Sequence, residues 1–177
     1  MKALNKSIYL MLIALALVFT TSSCNKDDDG GGGGGASAGT VKAKINGTSF
    51  TSAEISTSGT ITNAGGMQTF MLIGSNSSGK AIAVTIIGFD GEGTYQIGGG
   101  ANISVSASYT ETDINNPMNT QVWQAPFDAS VAGEIKFSEV SDTKAKGTFH
   151  FTGKNVNGDN STKEITEGAF NVNVQVY

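Results

Sequence analysis

Two carboxylates close together in the sequence, Asp90 and Glu92, are the first candidates for catalysis in this chain. A pair of carboxyl groups about 5 to 9 Å apart across a cleft can hydrolyse a glycosidic bond. Both residues lie in the segment GFDGEGTY, whose three glycines are typical of a tight turn. Glu164 and Glu167 have the spacing of charges at a strand edge. A hydrolase with paired carboxylates is therefore an alternative and not the leading hypothesis.

Other residues that support catalysis or metal binding are scarce. His150 is the only histidine and Cys24 the only cysteine, whereas zinc sites and catalytic triads combine several such side chains. In a strand, Phe149 and Phe151 would turn toward the core and His150 away from it. No Gly-x-Ser-x-Gly segment marks a nucleophilic serine. The sequence therefore predicts no enzyme, no catalytic residue, no metal site and no cofactor.

Aromatic rings could still bind a ligand, because a flat ring on an exposed strand can stack on a sugar. Trp123 and Tyr95 are the candidate contact residues, and the segment Glu111–Phe127 around Trp123 is predicted to be a loop that forms the contact surface. The alternation around Trp123 also permits a ring that closes the end of the core. Tyr109 shares an alternation face with Val105 and is predicted to be a core residue.

The charge balance argues against a nucleic-acid partner. The chain has 11 lysines and no arginine against 15 carboxylates, and loss of Lys2 and Lys6 with a leader would leave 9 − 15 = −6. Nucleic-acid recognition relies on basic stripes and arginine forks, and the sequence contains neither. The composition, rich in Gly, Ser, Thr and Asn and with Leu72 as the only leucine after Leu17, favours strands joined by tight turns.

From Val41 onward, apolar residues recur with a period of two, which predicts strands. Asn46-Gly47 is a strong signal for a hairpin turn. The segment AIAVTIIG, residues 81–88, is apolar at successive positions and predicts a central strand covered on both faces. Asp113–Asn119 is the only place where a helical turn is expected. The pattern predicts a single antiparallel β-sandwich or β-barrel of about nine or ten strands over residues 40–177, and periodicity alone does not separate these two.

Residues 1–23 have the organisation of an export signal. Two lysines precede an apolar run from Ile8 to Phe19, and small polar residues follow it. As a helix this run would reach about 18 Å, which is short of the roughly 30 Å of a bilayer core. We therefore interpret it as a signal peptide and not as a permanent membrane span.

The residues directly after this leader resemble a known lipidation signal. The order of small residues and then Cys24 is similar to the lipobox of bacterial lipoproteins, and the resemblance implies that Cys24 is acylated and becomes the first residue of the mature protein. The following CNKDDD, with Lys26, Asp27, Asp28 and Asp29, resembles the surface-export signal of Bacteroidota lipoproteins. The resemblance implies a lipid-anchored protein of the outer membrane, exposed at the cell surface, with the membrane as a partner through its acyl chains.

The segment 24–39 is predicted to be an acidic, glycine-rich tether. Six consecutive glycines follow the aspartates, and about fifteen residues of such coil have a root-mean-square span of roughly 20 Å. The sequence thus divides into a signal peptide (1–23), a lipidated tether (24–39) and an all-β domain (40–177).

Beyond the leader, the segments INGTSFT, GTYQIG, KGTFHFTGKN and ITEGAFNV resemble a family of small Bacteroidota surface lipoproteins, most of them of unknown function. The resemblance implies an all-β domain outside the cell and transfers no catalytic residue. The leading hypothesis is a binding or accessory module for a glycan or a protein. One alternative is a calycin-like barrel with an interior cavity for an apolar small molecule, and the other is the paired-carboxylate hydrolase.

Overall fold

The computed structural model describes residues 35–100 and 104–177. The predicted signal peptide and most of the predicted tether lie outside this range. The proposed lipidation site Cys24 and the proposed export-signal residues Lys26, Asp27, Asp28 and Asp29 therefore also lie outside the described residues.

The described chain is all-β, as the sequence predicts, with eleven strands where nine or ten were expected. In chain order the strands are β1 (Thr40–Ile45), β2 (Thr48–Thr51), β3 (Thr57–Ala64), β4 (Met67–Ser75), β5 (Lys80–Ile87), β6 (Gly93–Gly98), β7 (Val105–Thr112), β8 (Thr120–Ala125), β9 (Val131–Val140), β10 (Lys144–Lys154) and β11 (Thr162–Val176). Among the residues described, no helix has the length and apolar character that a membrane span requires.

The strands form one sheet whose hydrogen-bond ladder closes into a barrel-like ring. The ring runs β11, β3, β4, β5, β7, β8, β10 and back to β11, and the pairs β1–β2 and β9–β6 extend from β11 and β10. Residues 162–173 of β11 pair with β10, and residues 174–176 pair in parallel with β3. All other pairings in the described chain are antiparallel. The two longest strands therefore hold the ring together.

Two reciprocal glycine–phenylalanine pairs support the β10–β11 ladder. Gly147 lies opposite Phe170, and Phe149 lies opposite Gly168. A Cβ atom on Gly147 would lie 2.5 Å from Cζ of Phe170, and one on Gly168 would lie 2.6 Å from the ring of Phe149. Each ring therefore covers the glycine that faces it, a known device for stabilising glycine in a strand.

Inward side chains from the ring strands, from β6 and β9 and from the β5–β6 turn pack into one core. Phe137 contacts Phe70 and Phe89 at 4.9 Å between ring centroids, Phe170 at 5.1 Å and Tyr95 at 5.7 Å. Aromatic pairs at these distances add to the stabilisation that burial provides. A barrel that holds an apolar small molecule needs an open interior, whereas packed rings occupy the interior of the described domain.

The structure corrects three local expectations. The segment 81–88 forms the ring strand β5, but only one face is covered, because Ile82, Val84 and Ile86 are buried while Ile87 is 48% exposed. Asp113–Asn119 is a hairpin turn without a helix, and the one helical turn of the described chain is a 3₁₀ turn at Glu54–Ser56. Within the segment Glu111–Phe127, expected to form a contact loop, residues 113–119 are the turn, but Thr120–Ala125 around Trp123 form β8.

We expect Gly147→Ala to lower the free energy of unfolding by about 1 to 3 kcal/mol, the usual cost of overpacking. The added methyl group would meet the carbonyl oxygen of Lys136 and the ring of Phe170. Chemical denaturation measures the effect. The matched control, Thr148→Ala at the exposed neighbouring position, should change stability by less than about 0.5 kcal/mol. Equal stability of the two variants would contradict the ring-over-glycine arrangement.

Candidate functional site

The outward side chains of β3, β4, β5, β7 and β8 form a surface without a charged residue, which we name the uncharged face. The alternation of buried and accessible positions identifies these residues. They are Ser58, Thr60, Thr62, Ala64, Met67, Thr69, Met71, Ile73, Ser75, Ala81, Ala83, Thr85, Ile87, Ser106, Ser108, Thr110, Thr112, Thr120, Val122 and Gln124. Five adjacent strands without an outward charge are unusual on a protein surface that must stay hydrated.

The opposite outer surface has ordinary charged character. Lysines and glutamates point outward from β1, β9 and β10, and Lys42, Glu134, Lys136 and Lys146 are examples. His150 is exposed on β10, as the sequence predicts, between the inward Phe149 and Phe151. Outward charged residues are thus present on one side of the barrel and missing from the uncharged face.

A groove of about 310 Å³ crosses the uncharged face. Small side chains form its floor and Gln124 and Pro126 border it, and the accessible lining residues are Ala83, Thr85, Ser106, Ser108, Gln124 and Pro126. The register places Ile73 beside Ala83 and Met71 beside Thr85. The groove therefore has a hydroxyl-rich floor with an amide at its border, and Met71 and Ile73 lie on the strand next to it.

The strands β4 and β5 also expose large apolar side chains on this face. Met67 is 53% exposed, Met71 52%, Ile73 49% and Ile87 48%. Contiguous exposed apolar side chains mark interaction sites more often than isolated ones do. The uncharged face is therefore the strongest candidate for a contact surface.

A second cluster, of charged and aromatic residues, lies where β7, β8 and β11 come together. The Tyr109 hydroxyl donates a hydrogen bond of 2.7 Å to Oε1 of Glu111. Lys163 Nζ donates to the same oxygen at 3.2 Å and lies 4.4 Å from the centroid of the Trp123 ring. Ion pairing and a cation–π contact thus hold one lysine over the end of the core.

Charge and burial act in opposite directions on the pKa of Glu111. Burial alone would raise this pKa, but the hydrogen bonds from Tyr109 and Lys163 and the lysine charge outweigh it, so the pKa is lowered. The pKa of Tyr109 is raised by burial and by its bond to the Glu111 carboxylate. Tyr109 therefore remains a donor at neutral pH, and Glu111 remains ionised.

The structure shows how the two predicted ligand-contact residues, Trp123 and Tyr95, are held. Trp123 is only 5% exposed, Lys163 covers its ring, and its Nε1 donates to Oγ of Ser161 at 2.9 Å. It closes the end of the core, the arrangement that its alternation pattern also permitted. Tyr109 is fully buried, in agreement with its predicted core position.

Tyr95 stabilises the turn between β5 and β6. Its hydroxyl accepts a bond of 3.0 Å from the Asp90 amide and donates one of 2.9 Å to the Gly91 carbonyl. Its ring stacks on Phe89 at 5.5 Å. Tyr95 thus lies away from the uncharged face and holds the glycine-rich turn that the sequence predicted.

The candidate carboxylates lie in two places, the β5–β6 turn and β11. Asp90 and Glu92 lie in the β5–β6 turn, and Glu167 forms an exposed ion pair of 2.8 Å with Lys44. Within residues 35–100 and 104–177, no group of three or more histidine, cysteine, aspartate and glutamate side chains is arranged to hold a metal ion.

The sequence reasoning missed the uncharged face as a site. Its signal was present, because the outward positions of β4, β5 and β7 are Ser, Thr, Ala, Met and Ile and include no Asp, Glu or Lys. Within a single strand, the lack of an outward charge does not mark a site. Only the pairing order shows that these strands are neighbours.

Comparison with known protein families identifies the family of this domain. Residues 37–174 match the family described as Domain of unknown function (DUF6252). The chain belongs to this family. The DUF6252 match begins just before β1 and ends within β11, so it includes the uncharged face and the Lys163 cluster. Searches of curated proteins and of solved structures give no match.

The lowered pKa of Glu111 predicts a pH-dependent contribution to stability. A carboxylate with a lowered pKa in the folded state stabilises the protein above its unfolded pKa and loses that effect as pH falls through the folded pKa. Wild type should exceed Glu111→Gln by about 1 kcal/mol at neutral pH, the scale of a partly screened ion pair. Urea titrations at several pH values should show this difference decline below about pH 4.5.

The exposed Glu164→Gln variant is the matched control and should show little difference from wild type at any pH. A difference between wild type and Glu111→Gln that stays constant down to about pH 3 would contradict the assignment.

Proposed function

We propose that this DUF6252 protein is an exported lipoprotein, anchored through Cys24 at the outer-membrane surface, that binds a protein partner through its uncharged face. The anchor is supported by the leader, by the lipobox-like order around Cys24 and by the export-signal resemblance of Lys26 and Asp27–Asp29. Acyl chains contribute about 0.8 kcal/mol per buried methylene, so a multiply acylated cysteine remains on the membrane.

The binding role is supported above all by the absence of charge from the outward positions of five adjacent strands. Desolvating a charge on association is costly unless a partner charge compensates it. A face without charges avoids this cost. Met71, Ile73 and Ile87 supply apolar area for burial, and complete burial of such a side chain is worth about 1.5 to 3 kcal/mol.

A protein partner fits this face better than a glycan does. The accessible large side chains are methionine and isoleucine, and no outward position of these five strands carries an aromatic ring for stacking on a sugar. Methionine is flexible and polarizable, which suits contact with another protein surface. The hydroxyls and amide of the groove can hydrogen-bond to main-chain groups of a partner.

Placing a charge at the centre of the face should abolish binding. A photocrosslinking residue at Met71, introduced in cells, identifies the partner, and purified components then give the dissociation constant. We expect Ala83→Arg to weaken binding at least about tenfold, because the guanidinium would be buried without a partner charge.

Thr148→Arg, on the charged side, is the matched control and should bind as wild type does. Both variants should keep the wild-type free energy of unfolding within about 0.5 kcal/mol. Equal affinity of the two arginine variants would contradict the assignment of the face. Binding of a neutral polysaccharide, lost in Ala83→Arg, would instead favour a glycan partner.

The anchor has a separate test. Cells supplied with labelled palmitate should label the wild-type protein and not Cys24→Ala, and the variant should leave the membrane fraction. A Ser23→Ala variant, altered beside the cysteine, should keep both label and location. Persistent labelling of Cys24→Ala would contradict lipidation at this residue.

A further inference from the structure

The two most exposed large hydrophobic side chains of the described chain lie on turns at the same end of the barrel. Ile55, in the 3₁₀ turn, is 99% exposed, and Met118, in the β7–β8 turn, is 94% exposed. Ile114 in the latter turn is 63% exposed. Neither the core nor the uncharged face uses these residues.

Hydrogen bonds connect these turns into one rim. The Ala53 amide and the Ser56 hydroxyl both donate to the Ser75 carbonyl at 2.8 Å, which holds the 3₁₀ turn at the end of β4. The turn after β4 contacts the next one, since the Thr112 amide donates to the Gly79 carbonyl at 2.8 Å. A Cβ on Gly79 would lie 3.2 Å from Cγ2 of Ile114.

The chain enters the domain at this rim. A Cβ on Gly39 would lie 2.5 Å from Cγ of Glu54, the residue that precedes Ile55. About fifteen residues separate Cys24 from β1, and if they form the flexible tether that the sequence predicts, their root-mean-square span is roughly 20 Å. A lipid on Cys24 would therefore keep the rim within a short distance of the bilayer.

The charges near the rim indicate by which kind of interaction it would bind a membrane. Glu54 and Asp113 lie beside the apolar tips, and the two nearby lysines, Lys80 and Lys163, both lie next to Glu111. A rim of this kind has no basic stripe to attract acidic headgroups. Its attraction to a membrane must come from burying apolar side chains in the interfacial region of the bilayer.

We propose that this rim docks on the membrane surface, with Ile55, Ile114 and Met118 inserted among the lipid headgroups. The docking rests on the lipid anchor of the proposed function. Strands β4, β5, β7 and β8 begin or end at the rim, so the uncharged face would rise from the membrane. A partner embedded in the same membrane would then reach it.

The test uses the full-length lipidated protein in phosphatidylcholine vesicles that contain nitroxide-labelled lipid. Because Cys24 is the only cysteine, Ile55→Cys and Met118→Cys each give one free thiol for a fluorescent label. Insertion to a depth of about 5 to 10 Å should make quenching at these positions at least about threefold stronger than at the control Thr148→Cys. Ile55→Asp, added to Met118→Cys, should reduce that quenching.

Weak and equal quenching at all three positions in vesicle-bound protein would overturn the docking and leave the anchor intact. Failure of the anchor would be recognised separately, because mass measurement would find Cys24 without acyl chains. That result would remove the basis of the docking as well.

Discussion

The pairing of β10 with β11 is the constraint on which the rest of the structure depends. Gly147 and Gly168 let the rings of Phe170 and Phe149 lie against the facing strand, where a side chain would collide with them. The end of β10 reaches β8, and the end of β11 reaches β3. Closure of the ring, and with it a core of packed aromatic rings, follows from these two long strands.

Closure also separates two kinds of outer surface. Lysines and glutamates on β1, β9 and β10 keep one side hydrated, whereas β3, β4, β5, β7 and β8 present hydroxyl, methyl and thioether groups. Burial of the uncharged side against a partner would desolvate no charge. In the proposed arrangement the acylated Cys24, the apolar rim and the uncharged face act in sequence: the lipid keeps the protein at the membrane, the rim orients it, and the face receives a partner.

Much of the fold was predictable because side-chain alternation is a local property. It correctly placed Tyr109 inward and His150 outward. It could not show that Lys163 covers Trp123, since these residues lie on strands far apart in the sequence. It also predicted cover on both faces of residues 81–88, because an apolar outward position resembles a buried one when the neighbouring strands are unknown.

The sequence by itself determined the strand period and the turns. Asn46-Gly47 shows this directly, since both residues adopt the positive φ angles, 47° and 81°, that the hairpin turn requires. Only the tertiary structure decided which strands are neighbours, and hence that the uncharged positions form one face and that Ile55 and Met118 share one rim. The physical reason is that ladder hydrogen bonds join backbone groups that all residues share, so these bonds do not specify which strands pair. Alternation specifies the inward side chains, and long-range packing selects the partner strand.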